Sequence, residues 1–268
     1  MQRLGDILKG LFKELPEPMS NEDYIKWQAE RLNEGTGGLM ELDGYNCEKC
    51  RNKGLIFYYK VGNASPVSRE CECRAIRRSL RLTRQSGLSE HLKSKTLDNF
   101  STNEQWQMLI KNGVDAYLKQ GKGEWLYVGG QSGCGKTHLC TAACMELLKR
   151  GKSLIFMSWQ NALRELKSLV NEVEYCQKMS KYIECEVLYI DDLFKTMSGE
   201  MPSGADIKIA YEIINSRLDK SKVTIISSEW LLRELIEIDE ALGSRIKQMC
   251  KRFVLSIGKA EEKNFRMR

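Results

Sequence analysis

Eight consecutive residues limit the folds open to this chain: Gly130-Gln131-Ser132-Gly133-Cys134-Gly135-Lys136-Thr137. They satisfy the spacing GxxxxGK[ST], in which glycines let successive backbone N–H groups wrap a phosphate and the following helix N-terminus adds its positive dipole. Such a loop needs a strand before it and a helix after it. The apolar run 125–128 supplies the strand, and a stretch with Leu139, Ala143 and Leu147 on one face supplies the helix. In such a loop Lys136 would bridge the β- and γ-phosphates of a nucleotide such as ATP, and the Thr137 hydroxyl would ligate Mg2+. All eight residues are expected at the nucleotide. His138 adjoins them and is counted in the same binding set, although its imidazole needs no chemistry there.

A phosphate loop requires a second acidic half. Residues 187–190 form an apolar strand that ends in Asp191-Asp192, a Walker B pattern. Asp191 would hold Mg2+ through water, and Asp192 would orient or deprotonate the attacking water. Further short apolar strands are expected over 153–157, 223–227 and 253–257, with helices of 3.6-residue period between them. Strand alternating with helix implies an α/β fold with a five-stranded parallel sheet covered on both faces. The tip after 223–227 carries Ser227, Ser228 and Glu229, polar residues placed to sense a nucleotide.

Ahead of this pattern, Cys47-x2-Cys50 and Cys71-x-Cys73 present four thiols in two short-spaced pairs. Tetrahedral Zn2+ takes four such ligands, and a closed set leaves no open position for catalysis, so a structural zinc is expected. The other six cysteines, Cys134, Cys140, Cys144, Cys176, Cys185 and Cys250, read as small buried hydrophobes. No apolar run reaches the ~18 residues of a membrane helix. Residues 1–13 mix charged with apolar residues as an amphipathic helix does, so the expected compartment is the cytoplasm, where thiols stay reduced. Ser20 followed by Glu22 and Asp23 starts a helix over 24–32. Arg74, Arg77, Arg78, Arg81 and Arg84 fall on one helical stripe. That stripe is open to two readings, a contact with phosphates or an acidic partner and a solvated face. A net charge of +6 permits a nucleic-acid partner without requiring one. Three regions are expected: an N-terminal helical segment (1–45), a zinc-binding module with its basic helix (46–85) and an ATPase domain (86–268).

The four-cysteine module, Ser86-Gly87-Leu88, the phosphate loop, Asp191-Asp192, Thr224-Ile225-Ile226-Ser227-Ser228-Glu229, Ser244-Arg245-Ile246 and Asn264-Phe265-Arg266 occur in an order that resembles the DnaC/DnaI-type replicative helicase loaders, those of Firmicutes and their phages in particular. The resemblance implies an AAA+ ATPase that uses ATP to place a hexameric DnaB-type helicase on single-stranded DNA. It implies that Arg245 is an arginine finger reaching a neighbouring subunit's γ-phosphate, so that the ATPase domain self-associates, and that Arg266 is the second-sensor arginine. Two positions depart from the pattern. Most AAA+ proteins have Glu where this chain has Asp192, which favours a slow switch over a fast motor. Many loaders have Asn where this chain has Glu229, which shifts the sensor role to Ser228. Only eleven residues follow Ile257, so no helical lid is expected. Basic residues such as Arg164 or Lys167 are candidates to face DNA. Other readings remain: an IstB-type transposition-targeting AAA+ ATPase, a small-molecule phosphate-loop kinase, and a zinc-stabilised DNA-binding regulator with a vestigial nucleotide site.

Overall fold

The computed structural model describes residues 20–196, 200–265 and 267. The helix expected over 1–13 and the side chain of Arg266 lie outside the described residues. The chain divides into two units, Met1–Arg78 and Ser79–Arg268.

In the first unit, helix α1 (Asn21–Glu34) begins where Ser20 predicts, with its hydroxyl accepting from the Asp23 N–H at 3.1 Å. Ile25 and Ala29, one turn apart, form its buried stripe. The short α2 (Leu39–Asp43) follows, then an antiparallel hairpin of β1 (Leu55–Tyr58) and β2 (Val67–Glu70). α1 is tied to β1 by the Asn33 amide, which donates to the Phe57 carbonyl at 2.8 Å and accepts from the Phe57 N–H at 3.0 Å. The core of this unit is the four cysteines with Tyr45 and Ile56 packed against them. The division between units falls within α3 (Cys73–Gln85).

The second unit continues with α4 (Glu90–Lys93), α5 (Gln105–Gln120), β3 (Leu126–Gly130), α6 (Lys136–Lys149), β4 (Leu154–Ser158), α7 (Trp159–Ser168), α8 (Val173–Glu184), β5 (Val187–Leu193), α9 (Gly204–Asp219), β6 (Val223–Ser228), α10 (Leu232–Ile238), α11 (Glu240–Cys250) and β7 (Val254–Ile257). All five expected strands form. They make one parallel sheet in the order β4-β5-β6-β3-β7. Alternate residues feed two apolar layers, as a doubly covered sheet requires. Tyr127, Leu188, Ile190 and Ile226 point to one layer, which α7 to α11 cover. Leu126, Val128, Tyr189 and Ile225 point to the other, which α5 and α6 cover.

Cys140, Cys144 and Cys250 are core residues as expected, whereas Cys176 is exposed on α8. Arg217 on α9 is fully buried, with no carboxylate bonded to it among the described residues. Its guanidinium instead donates to the carbonyls of Tyr182, Ile183, Cys185 and Val223 and to the Thr224 hydroxyl. It thereby satisfies the carbonyls that the end of α8 leaves unpaired and fastens that end to β6.

Candidate functional site

The phosphate loop leaves β3 and enters α6 as its sequence requires. Gly133 and Gly135 have φ of 76° and 91°, a region that a residue with a Cβ rarely occupies. A Cβ on Gly133 would lie 2.0 Å from Asn264 Oδ1, and one on Gly135 2.7 Å from the Phe100 ring. Beside the loop lies an open cleft of about 330 Å³. Ser132, Gly133, Gly135, Lys136, Thr137 and His138 line it on the loop side. Lys95, Asn99, Phe100, Asp192, Lys195, Glu229 and Phe265 complete its lining.

Parallel pairing of β3, β6 and β5 brings the two halves of the site together. The pairing of β5 with β6 shifts register between Ile190 and Leu193, and Asp191 and Asp192 sit on that irregularity. Such bulges re-aim side chains next to sites. Asp191 Oδ1 accepts from the Thr137 hydroxyl at 3.0 Å, the Tyr189 phenol at 2.5 Å and the Ser227 hydroxyl at 2.7 Å. The two residues expected to hold Mg2+ are thus already in contact, and a buried tyrosine and a serine fix the carboxylate's direction. Thr137 and Asp191 offer hard oxygen ligands of the kind Mg2+ takes; when bound, the ion would neutralise charge building on the phosphates.

Other expected residues are placed differently. Lys136 Nζ donates to the Gln131 carbonyl at 2.9 Å. The Gln131 side chain is engaged with Ala260 in both directions, at 2.8 and 2.7 Å, and so faces the chain's C-terminal segment. Cys134 is buried, and burial pushes its thiol up, so it packs and does not react. His138 lines the cleft, but Nε2 lies 2.8 Å from the Thr96 carbonyl and 2.9 Å from Asn99 Oδ1. Burial holds its imidazole below the ordinary value, which favours the neutral ring. Ser228, expected to sense the nucleotide, is fully buried and donates to the Leu193 carbonyl at 2.7 Å. Side chains alternate along a strand, and here it is Ser227 that reaches Asp191 while Glu229 lines the cleft. Arg245 on α11 is not among the residues lining the cleft of its own chain. It donates to Asn215 and the Ala241 carbonyl and lies 4.8 Å over the Tyr211 ring. Lys95, Asn99, Phe100 and Lys195 were not legible in the sequence. They come from a turn and a strand end with no spacing signal, although a lysine three residues after the Walker B acids was there to be noticed.

In the first unit the sulfur atoms of Cys47, Cys50, Cys71 and Cys73 all lie within 4.8 Å of one another and are buried. Cys47 and Cys71 are 3.8 Å apart, and Cys50 and Cys73 are 3.5 Å apart. Zn–S bonds of ~2.3 Å in a tetrahedron put sulfurs roughly 3.8 Å apart, so the set fits zinc. Left-handed Arg51 and Asn52 make the first knuckle, and the Gly54 N–H points at the Cys50 sulfur at 3.2 Å. The arginine stripe is divided by burial. Arg77 is buried beside the cluster, paired with Asp43 and bonded to Asn52 at 2.8 Å, while Arg74 pairs with Glu70. Arg78 and Arg81 are exposed.

The sheet order, with the phosphate-loop strand between the last strand and the sensor strand, together with the loop and the paired acids, defines an ATPase of the AAA+ class. Residues 58–245 match the family described as IstB-like ATP binding protein, and the chain belongs to that family. It is 34% identical to YqaM of Bacillus subtilis (strain 168) over 202 residues, 71% of this chain and 63% of that one. It is 31% identical to the phage-like element PBSX protein XkdC of the same strain over 235 residues, 83% of this chain and 86% of that one. The chain thus spans slightly less than two thirds of YqaM. Among solved structures, the DnaC helicase loader superposes with a TM-score of 0.53 at 20% identity, over 64% of this chain and 100% of that one. At that identity the likeness is one of fold.

Proposed function

We propose that this protein is a switch-like ATPase that loads a DnaB-type hexameric replicative helicase onto single-stranded DNA in the cytoplasm. The observation that carries this reading is the pairing, in one chain, of an AAA+ ATPase unit with a separate unit built on four converging thiols. The first would respond to ATP; the second, holding Zn2+ at Cys47, Cys50, Cys71 and Cys73, would grip the helicase. In the ATPase unit Lys136 and the loop N–H groups would bind the phosphates, and Asp192 would orient water at the γ-phosphate. Asp192 is a carbon shorter than the usual glutamate, which supports slow turnover. Arg245, lying away from its own cleft, would complete a neighbour's site. Arg164 is exposed on α7 and available to DNA, whereas Lys167 is held by Asp206 at 2.5 Å.

The test is to mix the zinc-loaded protein with the replicative helicase of its host and ATP, and to size the product. A stable complex that acquires labelled single-stranded DNA supports the reading. Failure to bind the helicase, with capture of a transposase instead, would move the chain to the IstB-type transposition role that its family also contains.

A further inference from the structure

The end of the Walker B strand and the turn after it are held in an unfavourable shape by many contacts. Asp192 and Phe194 have φ of 57° and 58°, left-handed values that residues with a Cβ avoid. Neighbouring elements enforce them. The Ser228 hydroxyl donates to the Leu193 carbonyl, the Trp230 indole to the Phe194 carbonyl at 3.2 Å, and the Gln160 amide to the Lys195 carbonyl at 3.1 Å. The Phe194 ring is buried edge-on against Trp159 at 5.4 Å. Strain that is over-determined in this way marks functional positions, and its product here is the placement of Lys195. The chain doubles back so that its ammonium sits 2.8 Å from Asp192 Oδ2 and 3.2 Å from Glu229 Oε1. All three side chains are about a quarter to a third exposed and line the same cleft as Lys136 and Thr137. Burial works against the charge on Lys195, but the two carboxylates outweigh it and hold the ammonium above its ordinary range.

Asp192 is the acid placed to orient water at the γ-phosphate, and Glu229 stands at the sensor tip. A cation fixed to both lines the same cleft as Lys136 and Thr137, and a terminal phosphate carries more charge than either carboxylate. We propose that Lys195 reads the γ-phosphate, exchanging its ammonium between the Asp192–Glu229 pair and the terminal phosphate of bound ATP, so that Asp192 is released to the attacking water only when a triphosphate is present. ADP has no group at that position and leaves Lys195 on the acids. The inference rests on the reading of the cleft as an ATP site.

Calorimetric titration of the full chain with Mg2+ and either ADP or a non-hydrolysable ATP analogue tests it. Lys195→Gln should bind ADP within about threefold of wild type and lose about tenfold in affinity for the triphosphate, the worth of one charge-assisted hydrogen bond. Lys195→Arg keeps the charge and should keep the wild-type ratio of the two affinities. An unchanged ratio in Lys195→Gln overturns the proposal, as does an equal loss of both nucleotides, which would make Lys195 a support of the cleft. A loss of the ratio in Lys195→Arg matching that in Lys195→Gln also overturns it, since charge would not be what the residue supplies. Lys136→Ala should lose both ligands. If wild type binds neither nucleotide, the ATP reading itself falls and takes this inference with it.

Discussion

Gly135 and Gly204 show how differently two glycines of one chain are constrained. Gly135 closes the phosphate loop with φ of 91°, and a Cβ there would press on Phe100 at 2.7 Å. Gly204 opens α9 with no atom of the described residues within 4 Å of where its Cβ would be. Gly135→Ala should lower stability by about 1–3 kcal/mol, the cost of a strained backbone position. Gly204→Ala should be neutral or stabilising by up to about 1 kcal/mol, because it removes helix-disfavouring freedom. Denaturant unfolding of both variants checks the pair; an equal effect at the two sites would contradict the loop geometry. The motif announces Gly135 from sequence alone. Its meeting with Phe100, 35 residues earlier in the chain, does not follow from any local pattern.

At the scale of elements, α9 and the cysteine knuckles each depend on a charge. Ser203 and Asp206 form a reciprocal cap at the start of α9, and Lys167 pairs with Asp206. Partial burial alone would raise the Asp206 carboxyl, but Lys167 and the Ser203 cap hold it below its ordinary value. Ionised Asp206 therefore stabilises the fold above about pH 4, and this contribution is lost as pH falls through the lower folded value. Asp206→Asn should cost about 1 kcal/mol at pH 7 and flatten the acid limb of the stability profile; an unaltered limb would show that the pair contributes nothing. The knuckles make a stronger demand. If the four sulfurs hold zinc, metal binding is folding free energy for so small a unit. Gently purified protein should carry one Zn2+ per chain, and a chelator should expose amides of residues 45–78 to hydrogen exchange while the amides of β3 and β5 stay protected. Arg77→Ala should weaken the same unit by about 3 kcal/mol, since it removes a buried guanidinium that pairs with Asp43 and bonds Asn52. Zinc content well below one, or protection unchanged by chelation, would count against the centre. The cysteine spacing was legible in sequence. The separation of Arg77 from the exposed arginines of its stripe was not, because only packing decides which side of a helix meets a neighbour.

The whole molecule sets where the Arg245 guanidinium can act. Held by Asn215 and the Ala241 carbonyl on α11, it is outside the cleft that Lys136 and Asp191 define in the same chain. An arginine aimed at a neighbour's γ-phosphate can be worth ~10³–10⁵ in rate. Arg245→Ala should leave ATP affinity nearly intact and remove turnover. Mixed with the equally inactive Lys136→Ala, it should recover part of the activity, because one interface in the mixture pairs an intact loop with an intact arginine. The absence of recovery over a wide range of ratios, with assembly confirmed by sizing, would remove Arg245 from the trans role.

The sequence by itself determined the parts of this protein that depend on short-range chemistry. These are the phosphate loop, the five β-branched and aromatic strands, the acid pair at a strand end, the capped start of α1 and the paired cysteines. Each is a spacing of a few residues with its own physical signature, so no neighbour was needed to read it. The tertiary structure decided what depends on which strands lie side by side. Placing β6 beside β5 gave Asp191 the Ser227 hydroxyl and turned Ser228 into the core. The same placement set Glu229 opposite Asp192 with Lys195 between them. Strand order is a global choice, set by crossover connections and the burial of two apolar layers, and a one-residue shift of register exchanges cleft for core.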